Sequence, residues 1–280
     1  MGNEPERWVV ETFDRGYGPP IALPRNPTMA LSSTEPAPLA VISMLQKGWQ
    51  GFRRAPWLFV GFTLVAGIVN WLASAIQEKA NEALAAGSGV AIGPVILFVI
   101  GLVLGVLASL WTNIGLFRGA WKAVGGQVPQ LRDFIRWDPA AMVRLFLMGL
   151  LLLVIYGAVM LITLLTGGLL SMIRLELSIL PIVAGVVVFI WLTVTQMFHL
   201  PLVVARGDQP WSAFQHGLQV VQPQFWRLLA FGLLMTAITV LGVLLFGVGI
   251  LVAAPVVVCS LVAAYQSLFG DEDRTGFLAG

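Results

Sequence analysis

The sequence predicts an all-α, polytopic transmembrane bundle of about six helices. Mean hydropathy is +0.88 and only 11% of the 280 residues are charged, whereas soluble domains carry about 25%. Six apolar stretches are each long enough for the roughly 20 residues that a helical crossing needs, and their centres hold no Asp, Glu, Lys or Arg. The candidate crossings are approximately residues 55–76, 90–116, 141–166, 178–204, 228–247 and 249–268.

The last two crossings come from one apolar run between Leu228 and Leu268. At a rise of about 1.5 Å per residue the run is too long for one crossing. Gly247 and Gly249 offer a tight turn near its middle. The alternative, one long tilted helix, would place the C-terminus on the other side of the membrane.

The chain divides into three parts. Residues 1–37 are polar and rich in proline, contain no apolar signal-peptide core and are expected to be a disordered cytoplasmic tail, with Met29 as a second candidate start. Residues 38–270 form the six-helix membrane domain, and residues 271–280 a short polar tail. The one cysteine, Cys259, excludes an intrachain disulfide.

The distribution of positive charge predicts the orientation. With six crossings, 14 of the 16 Lys and Arg residues fall on the side of the termini, and Lys79 and Arg174 fall on the other. The positive-inside rule therefore predicts cytoplasmic N- and C-termini in a bacterial inner membrane. A net charge of +2 is too small to indicate nucleic acid as a partner.

Amphipathic segments precede crossings 1, 3 and 5 and are expected to lie in the membrane interface with their apolar faces in lipid. Their apolar positions are Ile42, Leu45, Trp49 and Phe52; then Leu131, Phe134 and Ile135; then Trp211, Phe214, Leu218 and Val221. The recurrence suggests a threefold repeat of segment plus hairpin, although hairpins with basic flanks also resemble one another by chance.

Several short motifs carry a resemblance to a known group. They are Gly48-Trp49-x-x-Phe52-Arg53-x-x-Pro56, Phe117-Arg118-Gly119, Asp208-x-Pro210-x-x-Ala213 and Ala263-Ala264-Tyr265-Gln266-x-x-Phe269-Gly270. Over about residues 40–270 the chain resembles uncharacterised bacterial six-span proteins that include the membrane domain of some glycerophosphodiester phosphodiesterases. The resemblance implies a six-helix inner-membrane bundle. It implies no activity, because the phosphodiesterase chemistry belongs to a separate metal-dependent domain.

Small and polar residues inside the first two crossings recur at intervals of four. They are Ala66, Asn70 and Ser74 in the first crossing, and Gly101, Gly105, Ser109 and Asn113 in the second. Such faces are usually packing seams, so the two helices are expected to form a tight hairpin that Gly105→Leu would destabilise. The functional alternative is a polar cavity or pathway.

A second polar cluster, Thr195, Gln196 and His199, lies near the end of the fourth crossing before Pro201. Proline interrupts helical hydrogen bonding and can free carbonyl groups for a partner. His199 has no second His, Cys or carboxylate nearby, so we expect a hydrogen-bonded histidine and no metal or other cofactor.

Four arginines gather at the ends of crossings on the predicted cytoplasmic side: Arg118, Arg136, Arg144 and Arg227. Topology and snorkelling account for such residues. They are also candidate contacts for anionic lipid headgroups.

These patterns favour a non-catalytic membrane protein that binds or positions lipid or a membrane-protein partner. The chain lacks a Ser matched with His or Lys, an HExxH motif, a pair of intramembrane Asp residues and a phosphate-binding loop. The alternative is a passive or secondary transporter of a neutral or amphipathic solute, with Pro56, Pro201 and Pro255 supplying broken helices. A midplane cavity lined by Asn70, Asn113 and Thr195 would favour transport.

Overall fold

The computed structural model describes residues 40–86, 92–245, 247–271 and 273–278, and these residues form an all-helical fold. The predicted disordered tail, residues 1–37, lies outside them. The ten α-helices of the described residues are α1 (Val41–Arg54), α2 (Pro56–Ala86), α3 (Ile92–Val124), α4 (Leu131–Ile135), α5 (Pro139–Ser171), α6 (Ile179–Thr195), α7 (His199–Val204), α8 (Pro210–Val221), α9 (Phe225–Leu244) and α10 (Ile250–Phe269).

Local sequence fixes several helix ends. Helices α2, α5 and α8 begin at Pro56, Pro139 and Pro210, because proline is tolerated in the first turn, where its missing N–H has no helical acceptor. The Asp138 carboxylate also caps α5 by accepting the Ala141 N–H at 3.0 Å. Helix α10 ends at Phe269 and is followed by Gly270, whose φ of +85° suits glycine.

Six helical segments within the described residues are long and apolar enough to span a membrane. They contain α2, α3, α5, α6, α9 and α10, and consecutive pairs form three hairpins. The predicted fold class is therefore confirmed. The run from Leu228 to Leu268 is two helices, because the chain leaves helical geometry after Leu244 and resumes it at Ile250.

The packed core lies at one end of the bundle, where α2, α5 and α9 begin and α3, α6 and α10 end. We call this the basic end, because it carries Arg54, Lys122, Arg144 and Arg227. The largest fully buried side chains are mostly here, among them Phe59, Phe117, Phe134, Phe198 and Tyr265. Towards the opposite, far end, most large apolar side chains of α5, α6 and α9 are exposed. Helix α10 is central. Of the residues in its most apolar stretch 50% are buried, whereas in the other five segments the buried share is 11–22%.

The two helices of each hairpin approach closely towards the far end through a glycine. A methyl group built on Gly101 of α3 would lie 3.0 Å from the Gln77 nitrogen of α2. One on Gly185 of α6 would lie 2.8 Å from the Thr163 methyl carbon of α5, and one on Gly242 of α9 3.1 Å from the Gly249 oxygen. Small residues let helix backbones approach in this way.

The seam between α2 and α3 differs from the predicted one. Ala66 and Gly101 are buried, and Asn70 donates to Thr112 Oγ1 across the seam at 3.1 Å. By contrast Ser74, Ser109 and Asn113 are exposed, and the Asn113 amide bonds the Ser109 carbonyl of its own helix. At 3.6 residues per turn, a series spaced by four drifts around the helix, so its later members leave the contact face.

Each segment that precedes an odd-numbered span packs on the second helix of another hairpin. Gly48 of α1 lies against Ser260 of α10, Phe134 of α4 against Gly119 of α3, and Gly217 of α8 against the Thr195 carbonyl at the end of α6. The predicted apolar face of α1 is divided, because Phe52 is buried whereas Ile42 and Trp49 are exposed. The placement of these faces in lipid stays a prediction.

Substitution of Gly48 should destabilise the protein. A methyl group there would lie 2.6 Å from the Ser260 nitrogen, so Gly48→Ala must push α1 away from α10, at about 1–3 kcal/mol for overpacking. Gly61 of α2 has nothing within 4 Å of such a methyl group and is the matched control. Thermal unfolding in detergent should show a lower midpoint for Gly48→Ala alone. Equal midpoints would show that α1 does not pack on α10 as described.

In the first hairpin, the glycine at which a larger side chain should destabilise the protein is Gly101, whereas the sequence predicted Gly105. A methyl group on Gly105 has only the Ala73 Cβ nearby, at 3.9 Å, so Gly105→Leu should be tolerated. Gly101→Leu should separate α2 from α3 and lower the unfolding midpoint clearly, because its neighbours are backbone atoms. The same detergent measurement compares the two variants. If Gly105→Leu lowers the unfolding midpoint more than Gly101→Leu does, the result would support the seam predicted from the sequence instead.

Candidate functional site at the basic end and in the apolar grooves

Arg118 lies inside the basic end of the bundle. Helix α3 carries it among buried neighbours, and the residue is 1% exposed. The prediction that Arg118 contacts lipid headgroups is therefore wrong. Its guanidinium group bonds Asp138 Oδ2 at 3.1 Å and donates more weakly to the Asp133 and Arg136 carbonyls, at 3.4 and 3.3 Å. Arg118 thus ties α3 to the turn that connects α4 and α5.

The C-terminal segment, residues 273–278, also covers Arg118. Phe277 is 2% exposed, and its ring centroid lies 4.1 Å from the Arg118 Cζ, within the distance of a cation–π interaction. Asp273 shapes the segment, because its carboxylate accepts the N–H groups of Thr275, Phe277 and Leu278. Within the predicted short polar tail, residues 271–280, residues 273–278 are therefore folded against the core.

The C-terminal segment is held against α7 and the residue after it. Thr275 Oγ1 donates to the Val204 carbonyl at 2.8 Å, and the Arg274 N–H donates to the Ala205 carbonyl at 3.1 Å. Both acceptors lie near the end of α7, where carbonyl groups lack helical partners. The last described residues thus serve as packing for the core.

A second ion pair supports the same region. Lys122 Nζ contacts Asp133 Oδ1 at 2.8 Å, and Asp133 Oδ2 accepts the Gln130 N–H at 2.8 Å. Burial by itself would raise the pKa of Asp133, but these two hydrogen bonds and the positive charges of Lys122 and Arg132 together outweigh it and hold the pKa below its usual value. Asp133 therefore stays ionised at neutral pH and fixes α4 beneath α3.

The cluster of Thr195, Gln196 and His199 is used in packing. Thr195 and Gln196 are buried; Thr195 Oγ1 donates to the Leu192 carbonyl, and Gln196 Nε2 donates to the Phe214 carbonyl of α8 at 3.2 Å. His199 Nδ1 lies 2.7 Å from the Gln196 carbonyl, so this nitrogen carries the proton. Among the described residues, no group of three or more His, Cys, Asp or Glu could hold a metal ion.

The other three predicted headgroup contacts lie nearer the surface. Arg136 and Arg227 are exposed. Arg144 is half-buried, and its Nε donates to the Ala140 carbonyl at 3.2 Å. Contact of these three side chains with lipid stays a prediction.

Open apolar grooves separate helices in the part of the bundle that faces away from the packed core. One groove, of about 620 Å³, lies between α1, α9 and α10, and another, of about 380 Å³, lies between α3 and α5. A third, of about 270 Å³, lies between α6 and α9. Their few polar lining residues are Gln46, Gln77, Ser109, Thr193 and Thr236.

The residues expected to line a transport cavity do not come together. Asn70 is bonded in the seam between α2 and α3, Asn113 is exposed, and Thr195 is buried against α8. No groove described above is lined by any of the three.

Sequence reasoning missed Asp138, Asp133, Asp273 and Phe277. Asp138 directly precedes Pro139, a combination typical of a helix start, but this pattern does not predict the bond to Arg118. Asp273 and Phe277 stand in a short polar segment after the last span, where composition gives no sign of a packed turn. Both kinds of contact join residues whose proximity only the folded chain creates.

Residues 39–269 match the family described as a domain of unknown function (DUF7847), and the chain belongs to this family. With its six apolar helices, it is a multi-pass membrane protein of an uncharacterised membrane family. The match carries no link to glycerophosphodiester phosphodiesterases. No curated protein and no solved structure matches the chain.

Removal of the negative charge opposite Arg118 should be costly. Asp138→Asn keeps a residue that caps α5 well but leaves a buried guanidinium group without its anion, for a loss of about 3 kcal/mol. Glu82→Gln is the control, because it breaks the solvent-exposed pair with Lys79, which contributes little to stability. Unfolding in detergent measures both.

The double variant Arg118→Met with Asp138→Asn should recover most of that loss, because the buried guanidinium group that lacks an anion is then removed as well. If Asp138→Asn unfolds like the wild-type protein, the pair does not hold the basic end together.

Proposed function

We propose that this protein is a non-catalytic integral membrane protein that binds and positions membrane lipid in grooves along its sides. The observation that carries the proposal is the contrast between a tightly packed basic end and apolar grooves that open laterally towards the far end. In a membrane, such grooves face hydrocarbon and accept acyl chains without loss of a hydrogen bond.

The proposal includes a location. The bias of 14 of 16 Lys and Arg residues to one side supports a bacterial inner membrane with both termini in the cytoplasm. The exposed Arg136 and Arg227 and the half-buried Arg144 would then lie at the level of the cytoplasmic headgroups. A membrane-protein partner seated on the same apolar faces is the alternative occupant.

Transport of a neutral or amphipathic solute has less support. A pathway needs polar groups that converge on a shared space. Asn70 and Thr195 instead form hydrogen bonds with neighbouring groups inside the packed helices.

Native mass spectrometry of the protein, purified from its own membranes in mild detergent, tests the proposal. We expect lipid retained in a fixed ratio to the protein and enriched over the bulk membrane composition. Retention of a stoichiometric polypeptide without lipid would make the protein an accessory subunit and overturn the proposal. Solute flux into proteoliposomes above that of empty vesicles would overturn it in favour of transport.

A further inference from the structure

The largest of the grooves described above lies beneath α1. Leu45, Gln46 and Trp49 of α1 line its upper part. Its walls are the far halves of α9 and α10, from Ile238, Leu241, Gly242 and Leu245 on one side and Gly249, Val252, Ala253 and Val256 on the other. The groove is thus almost wholly apolar and ends at α1, which runs towards the basic end.

Two arginines lie above the groove at the basic end. Arg53 is one helical turn beyond Trp49 on the same face of α1. Arg227 is eleven residues before Ile238 in α9, about three turns, and so shares its face. Both side chains are exposed, and neither has a hydrogen bond or an ion pair within the described part of the chain.

We propose that this groove is the seat of one anionic phospholipid, with an acyl chain between α9 and α10 beneath Trp49 and its phosphate group against Arg53 and Arg227. The proposal rests on the lipid-binding function above and names the groove and the class of lipid. An apolar slot below two free cations matches a molecule with a hydrocarbon chain and an anionic head. Trp49, 45% exposed, stands between them, where indole rings favour the interface.

The form of the groove favours lipid over protein as its occupant. A transmembrane helix is about 10 Å across with its side chains, so it could lie only along the outside of a groove of about 620 Å³. An acyl chain is only one methylene group wide and fits. Gly242 and Gly249 keep α9 and α10 close at the far end, so the groove does not widen there for a helix.

The test separates the headgroup from the chain. Purified, delipidated protein in detergent is mixed with phosphatidylglycerol or with phosphatidylcholine of the same acyl chains, and native mass spectrometry gives the apparent affinity of one bound lipid. The wild-type protein should bind phosphatidylglycerol more tightly than phosphatidylcholine. The double variant Arg53→Gln with Arg227→Gln should bind phosphatidylglycerol about 30-fold more weakly. Arg174→Gln, at the far end, is the control and should bind as the wild type does.

Leu241→Trp tests the chain. Leu241 is 60% exposed and lines the groove, so an indole there would displace about two methylene groups and weaken binding of both lipids about tenfold. Val240→Trp, at an exposed neighbour on another face of α9, is the control. Unfolding midpoints check that the variants fold, and Ile238→Trp replaces Leu241→Trp if that variant unfolds.

The outcomes separate the two proposals. If the wild-type protein binds lipid but the groove and arginine variants bind it equally well, the groove is not the site, while the lipid-binding function stands. Equal affinity for the two lipids would overturn the anionic headgroup assignment. A wild-type protein that binds neither lipid, while its purified preparation from native membranes also retains none, would overturn both.

Discussion

The buried guanidinium group of Arg118 is the constraint on which the basic end depends. It gathers α3, the turn before α5 and the C-terminal segment around one charge, through Asp138, two backbone carbonyls and Phe277. A buried charge without these partners would be costly, so the three segments must meet there for the fold to form. The charge therefore specifies how the ends of the helices are arranged, whereas hydropathy specifies only that they cross a membrane.

A contact pattern repeats around this end. Helix α1 packs on α10, α4 on α3 and α8 on the end of α6. Each contact includes a glycine, and the neighbouring element lies so close to it that no side chain would fit there. At the far end, each hairpin closes on itself through another glycine. Contacts between hairpins are thus concentrated at the basic end, whereas contacts within each hairpin continue towards the far end, and this difference leaves the grooves. The threefold repeat suggested by the sequence stays a prediction.

The grooves lie where neighbouring helices share neither small residues nor polar bonds that would hold them together. Between helices in hydrocarbon there is no hydrophobic driving force for contact, so helices remain together only where small residues or polar bonds join them. Towards the far end, α3 and α5 present Leu102, Leu150 and Leu153 to the groove between them, and no hydrogen bond between side chains is described across it. Acyl chains would cover such a surface without loss of a hydrogen bond, which is the physical basis of the proposed lipid binding.

The sequence alone determined the all-helical class, the six spans and the turn between Leu244 and Ile250, because these depend on local apolar length and on glycine. It also indicated that Ala66, Asn70 and Gly101 lie in a seam, but not that Ser109 and Asn113 leave it, since helical drift matters only once a partner helix has a position. Tertiary structure decided the burial of Arg118, the packing of Phe277 and the grooves. These features depend on charges and surfaces from distant parts of the chain. A local sequence pattern does not show which distant residues will lie next to each other.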